Sequence, residues 1–239
     1  MVRASRKRQS KRRFGPGRNQ LLDAQARRGR GPYNLWIRYS PRNRCDVVLK
    51  SDPEDEHFCW VEGDESVAAY ELEPAPVSVV INGRLHTTQF DARVELRTGV
   101  IELREVKPSN ADLDAREQVQ LATQSHVAAM LGFRYVRVTR DTLDEHRQLI
   151  ANWRCGLAFL TACRSLVLDP QVEEFVQRLG AARRPLSLEQ LLLGVDPIEQ
   201  PARIAALLQG LQSGRLRSNL DGNPLCASTV FALREAPND

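Results

Sequence analysis

The segment from Ala75 to Lys107 has the sequence APVSVVINGRLHTTQFDARVELRTGVIELREVK. Two turn signals divide it, the hairpin dipeptide Asn82-Gly83 and the tripeptide Arg97-Thr98-Gly99. The stretches around these turns are rich in β-branched residues, which predicts strands over Val77–Ile81, Thr87–Leu96 and Val100–Lys107. The segment therefore predicts three strands joined as an antiparallel meander.

Helical patterns lie on both sides of this meander. Ser51-Asp52-Pro53 predicts a helix start, because Ser51 or Asp52 can cap and proline suits the first helical position; the helix is expected over Glu54–Glu62. A second helix is expected over Asp112–Leu131 and a fourth strand over Tyr135–Thr139. A helical connection between the last two strands favours a parallel pair. Residues 31–143 are thus expected to form an α/β domain with a mixed sheet flanked by helices.

Beyond residue 143 the sequence is mainly helical. Ser187 and Gln190 form a capping-box pattern, which marks a helix start. Helices followed by a small hairpin are typical of a winged helix-turn-helix, so residues 144–239 are expected to form a smaller, helical, winged-helix-like domain. The segments that carry this expectation are the helices His146–Cys163, Val172–Leu179 and Pro201–Gln212 and the strands Arg215–Leu220 and Thr229–Leu233.

Composition limits the classes of protein. No run of 18 or more apolar residues occurs among the 239 residues, so a membrane span is not expected. The N-terminus is basic and lacks the apolar region of a secretory signal. The five cysteines are odd in number and form no CxxC, which favours scattered thiols in a reducing cytoplasm over disulfides or structural zinc.

The positive charge is concentrated at the N-terminus. Residues 1–30 contain eleven Lys or Arg residues and one acid, Asp23, within a chain of net charge +4. This segment is expected to be a disordered tail, and its natural partner is the phosphate backbone of double-stranded DNA. A solvated tail that binds nothing specific is the alternative. The candidate DNA-binding residues are Arg3, Arg6, Lys7, Arg8, Lys11, Arg12, Arg13, Arg28 and Arg30.

Three charged side chains of the meander indicate metal chemistry. Glu105 and Lys107 are two positions apart on one predicted strand, so they share a face with the apolar Leu103, and Asp91 is on the preceding strand. Unpaired buried charge is costly. A divalent cation shared by Asp91, Glu105 and a further acid would compensate for it.

The third acid is expected on the first predicted helix. Glu54 is the first candidate, and Asp55, Glu56 and Glu62 remain alternatives on the same helix. Hard oxygen ligands of this kind suit Mg²⁺, for which Mn²⁺ should substitute. A metal held in this way can polarise a phosphodiester, and Lys107 can orient the attacking water and offset the developing charge.

Several motifs in order resemble the TnsA family, the endonuclease subunits of heteromeric cut-and-paste DNA transposases, which have the PD-(D/E)XK restriction-endonuclease-like fold. Phe90 and Ala92 depart from the family pattern, which has Pro and an aromatic residue at these positions. The matching segments are Arg28-Gly29-Arg30-Gly31-Pro32-Tyr33 with Leu35-Trp36, the helix from Glu54 to Glu62, Ser66–Pro74, Thr87–Asp91, Glu105-Val106-Lys107-Pro108 and Leu131–Thr139.

The resemblance implies both residues and partners. Glu54, Asp91, Glu105 and Lys107 would be the catalytic residues, and the three acids among them the metal ligands. Such a subunit hydrolyses the strand at the 5′ ends of a transposon, together with a transposase subunit of RNase H-like fold and a regulatory AAA+ ATPase. It acts in the bacterial cytoplasm on nucleoid DNA.

Two alternative functions remain open. The chain could be a restriction or repair nuclease of the same class that acts alone. It could also be a non-catalytic DNA-binding or assembly protein that retains the winged helix and a decayed nuclease core. Gln120 and Gln124 on the second predicted helix could approach phosphate or the attacking water, but a polar helix face is the favoured interpretation.

Overall fold

The computed structural model describes residues 34–81, 83–107 and 115–234, without the side chains of Arg84 and Ala115. The basic segment 1–30 lies outside this range, as does Pro108 of the motif that follows Glu105. The DNA contacts expected on that segment therefore stay predictions: Arg3, Arg6, Lys7, Arg8, Lys11, Arg12, Arg13, Arg28 and Arg30.

The described residues form a mixed α/β protein. In chain order its elements are β1 (Trp36–Ser40), β2 (Cys45–Leu49), α1 (Asp52–Gly63), β3 (Val67–Leu72), β4 (Val77–Ile81), β5 (Arg84–Thr88), β6 (Ala92–Leu96), β7 (Ile101–Val106), α2 (Ala115–Met130), β8 (Arg134–Val138), α3 (Arg140–Glu145), α4 (Arg147–Ala162), α5 (Asp169–Ala182), β9 (Leu186–Ser187), α6 (Leu188–Leu192), α7 (Gln200–Gln212), β10 (Leu216–Ser218) and β11 (Val230–Leu233).

A four-stranded sheet carries the candidate site. Its strand order is β3-β6-β7-β8, with antiparallel pairs from β3 to β7 and a parallel pair between β7 and β8. Helix α2 makes the crossover that the parallel pair needs. The predicted helix between the last two strands and the parallel pair that it implies are confirmed.

The predicted three-stranded meander is wrong. The segment expected as one strand, Thr87–Leu96, breaks at Gln89-Phe90-Asp91, so that β5 pairs with β4 in a separate hairpin while β6 pairs with β7. The break has a physical cause: Phe90 is 1% exposed in a small core with Leu103, and the Asp91 carboxylate accepts a hydrogen bond from the Val106 backbone. The place beside β6 that was predicted for the first strand of the meander, Val77–Ile81, is taken by β3, which was not assigned from the sequence.

Helices cover both faces of the sheet. Ser51 caps α1 by accepting from the Glu54 backbone N–H, and Pro53 occupies the first turn, as expected from the sequence. α1 belongs to the main core through Phe58 and Val61, which are both 0% exposed. On the opposite face, Val127 and Ala128 of α2 pack on Phe90 and Leu103. The end of β7 therefore lies between two packed layers.

The C-terminal helices continue the main core. One cluster of buried apolar residues extends from Leu49 to Phe231, and it crosses the predicted domain boundary after residue 143. The order α5, β9, α6, α7, β10, β11 includes a three-stranded sheet with strand order β10-β11-β9. Within α7, Pro201 is the one exposed residue, because the helix packs on α4 and α5.

A buried polar network joins α1 to α7. The Glu62 carboxylate is 0% exposed and accepts from Ser40 (2.6 Å), Tyr70 (2.5 Å) and Gln212 (2.5 Å). Arg42 lies 3.9 Å from this carboxylate and donates to backbone carbonyls that include that of Gln212. Buried charge needs such partners, so the network fixes the C-terminal helices against the sheet domain.

Candidate active site

Asp91 lies in the bend between β5 and β6, where two hydrogen bonds hold it against β7. Its Oδ2 accepts from the Val106 N–H at 2.7 Å, and its own N–H donates to the Arg104 carbonyl at 3.1 Å. Val106 is the residue between Glu105 and Lys107. The structure thus brings Asp91 to the Glu105–Lys107 pair, although Asp91 precedes the strand on which it was expected.

Glu105 is buried, at 3% exposure, and both of its carboxylate oxygens are bonded by α2. Gln124 donates to Oε2 at 2.7 Å, and Gln120 donates to Oε1 at 3.2 Å. The Tyr135 hydroxyl in turn donates to the side-chain amide oxygen of Gln124, Oε1, at 3.1 Å. Gln120 and Gln124 therefore do more than form a polar face of α2: they donate hydrogen bonds to the Glu105 carboxylate and fix its orientation.

Lys107 follows β7 directly. Its Nζ lies 3.8 Å from Glu105 Oε1, and its side chain is 29% exposed. The Asp91 carboxylate is bonded to the N–H of the preceding residue, Val106, and the charge of Lys107 partly offsets the rise that burial causes in the pKa of Asp91. Lys107 is thus the ammonium group that lies between this acidic pair and solvent.

Glu54 is the acid of α1 that faces the site. Its Oε2 accepts from the Lys50 backbone at 2.8 Å, and the charge of Asp91 contributes to raising its pKa. The alternatives on the same helix have other partners. Asp55 binds Arg38 and Arg154, Glu56 pairs with Arg140, and Glu62 belongs to the network with Gln212.

The carboxylates repel one another in a buried environment. Burial, followed by the charge of Asp91, raises the pKa of Glu105 to about 7. Burial also raises the pKa of Asp91 and of Glu54. The same cause, reinforced by the charge of Glu105, raises the pKa of Tyr135. The site therefore disfavours its own negative charge, which a bound cation would relieve.

These donors fit a hard divalent cation in chemistry. Asp91 and Glu105 lie beside Lys107, burial raises the pKa values of both carboxylates and of Glu54, and Mg²⁺ takes such oxygens together with several waters. In the described part of the chain, no group of three or more His, Cys, Asp or Glu side chains is arranged to hold a metal ion.

Sequence reasoning missed two charged residues of this site. Lys50, in the turn between β2 and α1, forms an ion pair with Glu73. Glu73 follows β3 and donates its N–H to the Asp91 carbonyl at 2.8 Å. It has a left-handed backbone, with φ of 45°, which costs about 1–3 kcal/mol. The available signal was weak, since Glu73-Pro74 resembles any strand exit.

The departures beside the site are accommodated by packing. Phe90 fills the small core with Leu103, and Ala92 is 0% exposed in the main core. Neither side chain displaces a candidate ligand. Of the histidines, His57 is buried against Trp60, and His146 stacks on the same ring at 4.3 Å, so both have packing roles.

Two comparisons with known proteins bear on this chain. No protein-family model matches it, and no curated protein matches it either. Among the described residues, no helix has the length and apolar character needed to cross a bilayer. The arguments for function therefore come from the geometry of the four residues Glu54, Asp91, Glu105 and Lys107.

Proposed function

We propose that this protein is a Mg²⁺-dependent DNA endonuclease of the PD-(D/E)XK class. One observation carries the proposal: the Asp91 carboxylate accepts a hydrogen bond from the Val106 N–H, between Glu105 and Lys107, and the Lys107 ammonium lies 3.8 Å from Glu105. Asp91, Glu105 and Lys107 thus lie together at one end of β7, and Glu54, at the start of α1, is the proposed third acid. This is the donor set that metal-assisted phosphodiester hydrolysis requires.

The chain's own residues have distinct roles in this proposal. Carboxylate oxygens of Glu54, Asp91 and Glu105 would hold the cation. When bound, Mg²⁺ supplies Lewis-acid polarisation of the scissile phosphate and lowers the pKa of a bound water. Gln124 keeps the Glu105 carboxylate turned toward the site, since it donates to that group at 2.7 Å. Without this bond the ligand would sample other rotamers.

Lys107 would act on the reacting groups directly. Its ammonium is 29% exposed beside Glu105, so a phosphate that enters from solvent can reach it. A cation at this position orients the attacking water and stabilises charge that develops on the phosphate oxygens. Loss of one such donor typically lowers the rate by about 100- to 1,000-fold.

The more specific proposal follows the TnsA resemblance. The enzyme would cut the 5′-end strand at transposon ends in the bacterial cytoplasm, with an RNase H-like transposase subunit and an AAA+ ATPase as partners. The basic segment 1–30 would hold flanking DNA. The C-terminal unit is predicted to be winged-helix-like, but seven of the thirteen residues of α7 are buried and Pro201 is its one exposed residue. This burial favours a bracing or protein-binding role for the unit over insertion of α7 into the major groove.

The experiment measures metal binding and DNA cleavage on the same variants. Asp91→Ala and Glu105→Ala should weaken Mn²⁺ binding in calorimetry and lower Mg²⁺-dependent plasmid cleavage by at least about 100-fold. Glu173→Gln is the control, because this exposed carboxylate pairs with Arg215 away from the site. If Asp91→Ala binds Mn²⁺ and cuts DNA as well as the native chain, the proposal fails.

The same assay separates the alternative functions. A stand-alone nuclease cuts plasmid DNA efficiently as the purified chain, whereas a heteromeric enzyme cuts only when its transposase partner is added. A non-catalytic assembly protein cuts under neither condition. Its Mn²⁺ binding would also be indifferent to Asp91→Ala.

A further inference from the structure

Lys50 is the second ammonium group of the candidate site. It lies between β2 and α1, and its backbone N–H holds the Glu54 carboxylate at 2.8 Å. Burial raises the pKa values of Glu54 and Asp91, and the charge of the Lys50 ammonium partly offsets that rise. One residue thus positions one candidate metal ligand through its backbone and acts on two of them through its ammonium group.

The ammonium group itself is paired with Glu73. That carboxylate is anchored by its backbone, because the Glu73 N–H donates to the Asp91 carbonyl at 2.8 Å. Gln89 donates to the carbonyl of the next residue, Pro74, at 3.2 Å. The backbone of Glu73 is therefore hydrogen-bonded directly to the bend that contains Asp91.

The charge balance of the site leaves room for a cation. Glu54, Glu73, Asp91 and Glu105 carry a formal charge of −4 when ionised, and Lys50 and Lys107 carry +2, which leaves −2. One divalent ion balances this charge. Both lysines then lie beside a neutral site that a polyanion can approach.

The Lys50–Glu73 pair is open to solvent. The Lys50 side chain is 20% exposed and that of Glu73 is 45% exposed. Ion pairs at such positions are weak, because water and salt screen them. A phosphate oxygen forms a charge-assisted hydrogen bond with an ammonium group and can replace an exposed carboxylate.

We infer that Lys50 is a phosphate-binding residue of this site, held by Glu73 until a nucleic-acid phosphodiester takes the place of that carboxylate. The inference rests on the proposed function for the identity of the polyanion. It assigns Glu73 as the residue that positions Lys50 in the DNA-free protein. This exchange makes and breaks no covalent bond, because a phosphate only replaces the Glu73 carboxylate as the partner of the Lys50 ammonium.

The test is DNA affinity over a salt series, measured by fluorescence anisotropy with Ca²⁺ in place of Mg²⁺. Lys50→Met removes one phosphate contact, so the slope of log affinity against log salt should become shallower by about 0.9. Lys50→Arg should keep the slope. Arg215→Met, which breaks the exposed pair with Glu173, is the matched control and should leave the slope unchanged.

Glu73→Gln supplies a second and opposite expectation. It frees Lys50, so DNA affinity should rise by about two- to five-fold at an unchanged slope, the gain that an exposed ion pair allows. In the Lys50→Met background, the same substitution should have no further effect. An unchanged slope for Lys50→Met, or weaker DNA binding by Glu73→Gln, would overturn the inference.

Failure of the proposed function gives a different result. In that case native protein and all variants lack Mg²⁺-dependent cleavage, while the salt slopes still report whether Lys50 contacts phosphate. If cleavage depends on Asp91 but the slope does not depend on Lys50, the nuclease proposal stands and the role of Lys50 falls.

Discussion

The buried carboxylate of Glu105, one residue of the candidate site, lowers the free energy of unfolding of the protein at neutral pH. This carboxylate is buried beside Asp91, and these causes raise its pKa from an ordinary value of 4.5 to about 7. Between these two pH values the folded state keeps a proton that the unfolded state has released. The free energy of unfolding therefore falls as pH rises from about 4.5 to 7, and the loss is complete above pH 7.

Glu105→Gln should remove this penalty. We expect the variant to be more stable than the native chain at pH 8, by about 1–3 kcal/mol, and to show little gain at pH 4.5. Urea unfolding at the two pH values measures the difference. Millimolar Mg²⁺ at pH 8 should stabilise the native chain and leave the variant unchanged, since ligand binding to the folded state adds to its stability. An equal gain at both pH values would contradict the electrostatic account.

The sequence predicted the candidate site residues but not all of their neighbours. Glu105 and Lys107 could be identified because a two-residue spacing on a strand places side chains on one face, and Asp91 because it was expected on the neighbouring strand. Lys50 and Glu73 could not, because their pairing depends on a left-handed backbone at Glu73 that brings the end of β3 beside the start of α1. No periodic pattern signals a single residue of this kind.

At the scale of elements, local patterns predicted helices better than strand pairing. Ser51 and Pro53 marked α1 correctly, because a capping side chain and a fixed proline φ act within one turn. One partner of β6 was predicted wrongly. It is β3 and not the hairpin strand β4, since burial of Phe90 bends the chain before β6 begins. Pairing depends on tertiary contacts that propensity does not contain.

The junction between α1 and α7 gives a testable element. Arg42 donates to the backbone carbonyls of Val67 and Gln212, both at 2.9 Å, and lies near the buried Glu62. Arg42→Met leaves Glu62 without a cation, so we expect a loss of about 3–5 kcal/mol in unfolding free energy. Chemical denaturation measures it, and Arg93→Met, at an exposed pair with Glu95, is the control. A loss below about 1 kcal/mol would show that the hydrogen bonds from Ser40 and Tyr70 are enough to stabilise the buried Glu62 carboxylate.

At the scale of the whole molecule, the sheet domain and the C-terminal helices share one core. The cluster from Leu49 to Phe231 crosses the predicted boundary, and α7 packs within it. Sequence patterns gave the helices of this unit, yet they could not show which helix face is covered. Burial of α7 depends on the neighbouring α4, which the local sequence of α7 does not specify.

The basic segment should affect DNA capture more than chemistry. Removal of residues 1–30 deletes eleven Lys or Arg residues, so DNA affinity should fall and its salt dependence should become shallower by several units of slope. The cleavage rate at saturating DNA should change little. Anisotropy over a salt series and single-turnover cleavage measure the two effects. A lost rate at saturation with unchanged affinity would contradict this division of roles.

The first residues of the described fold bear on the rate at which DNA held by residues 1–30 would reach the candidate site. Asn34 and Trp36 both donate to Asp52, at 2.9 and 2.8 Å, and Asp52 is two residues before Glu54. If residues 1–30 hold a duplex as proposed, they would tether it to an anchor within one helical turn of Glu54. The encounter of that duplex with the carboxylates would then be intramolecular, at an effective concentration set by the tether and not by the amount of DNA in solution.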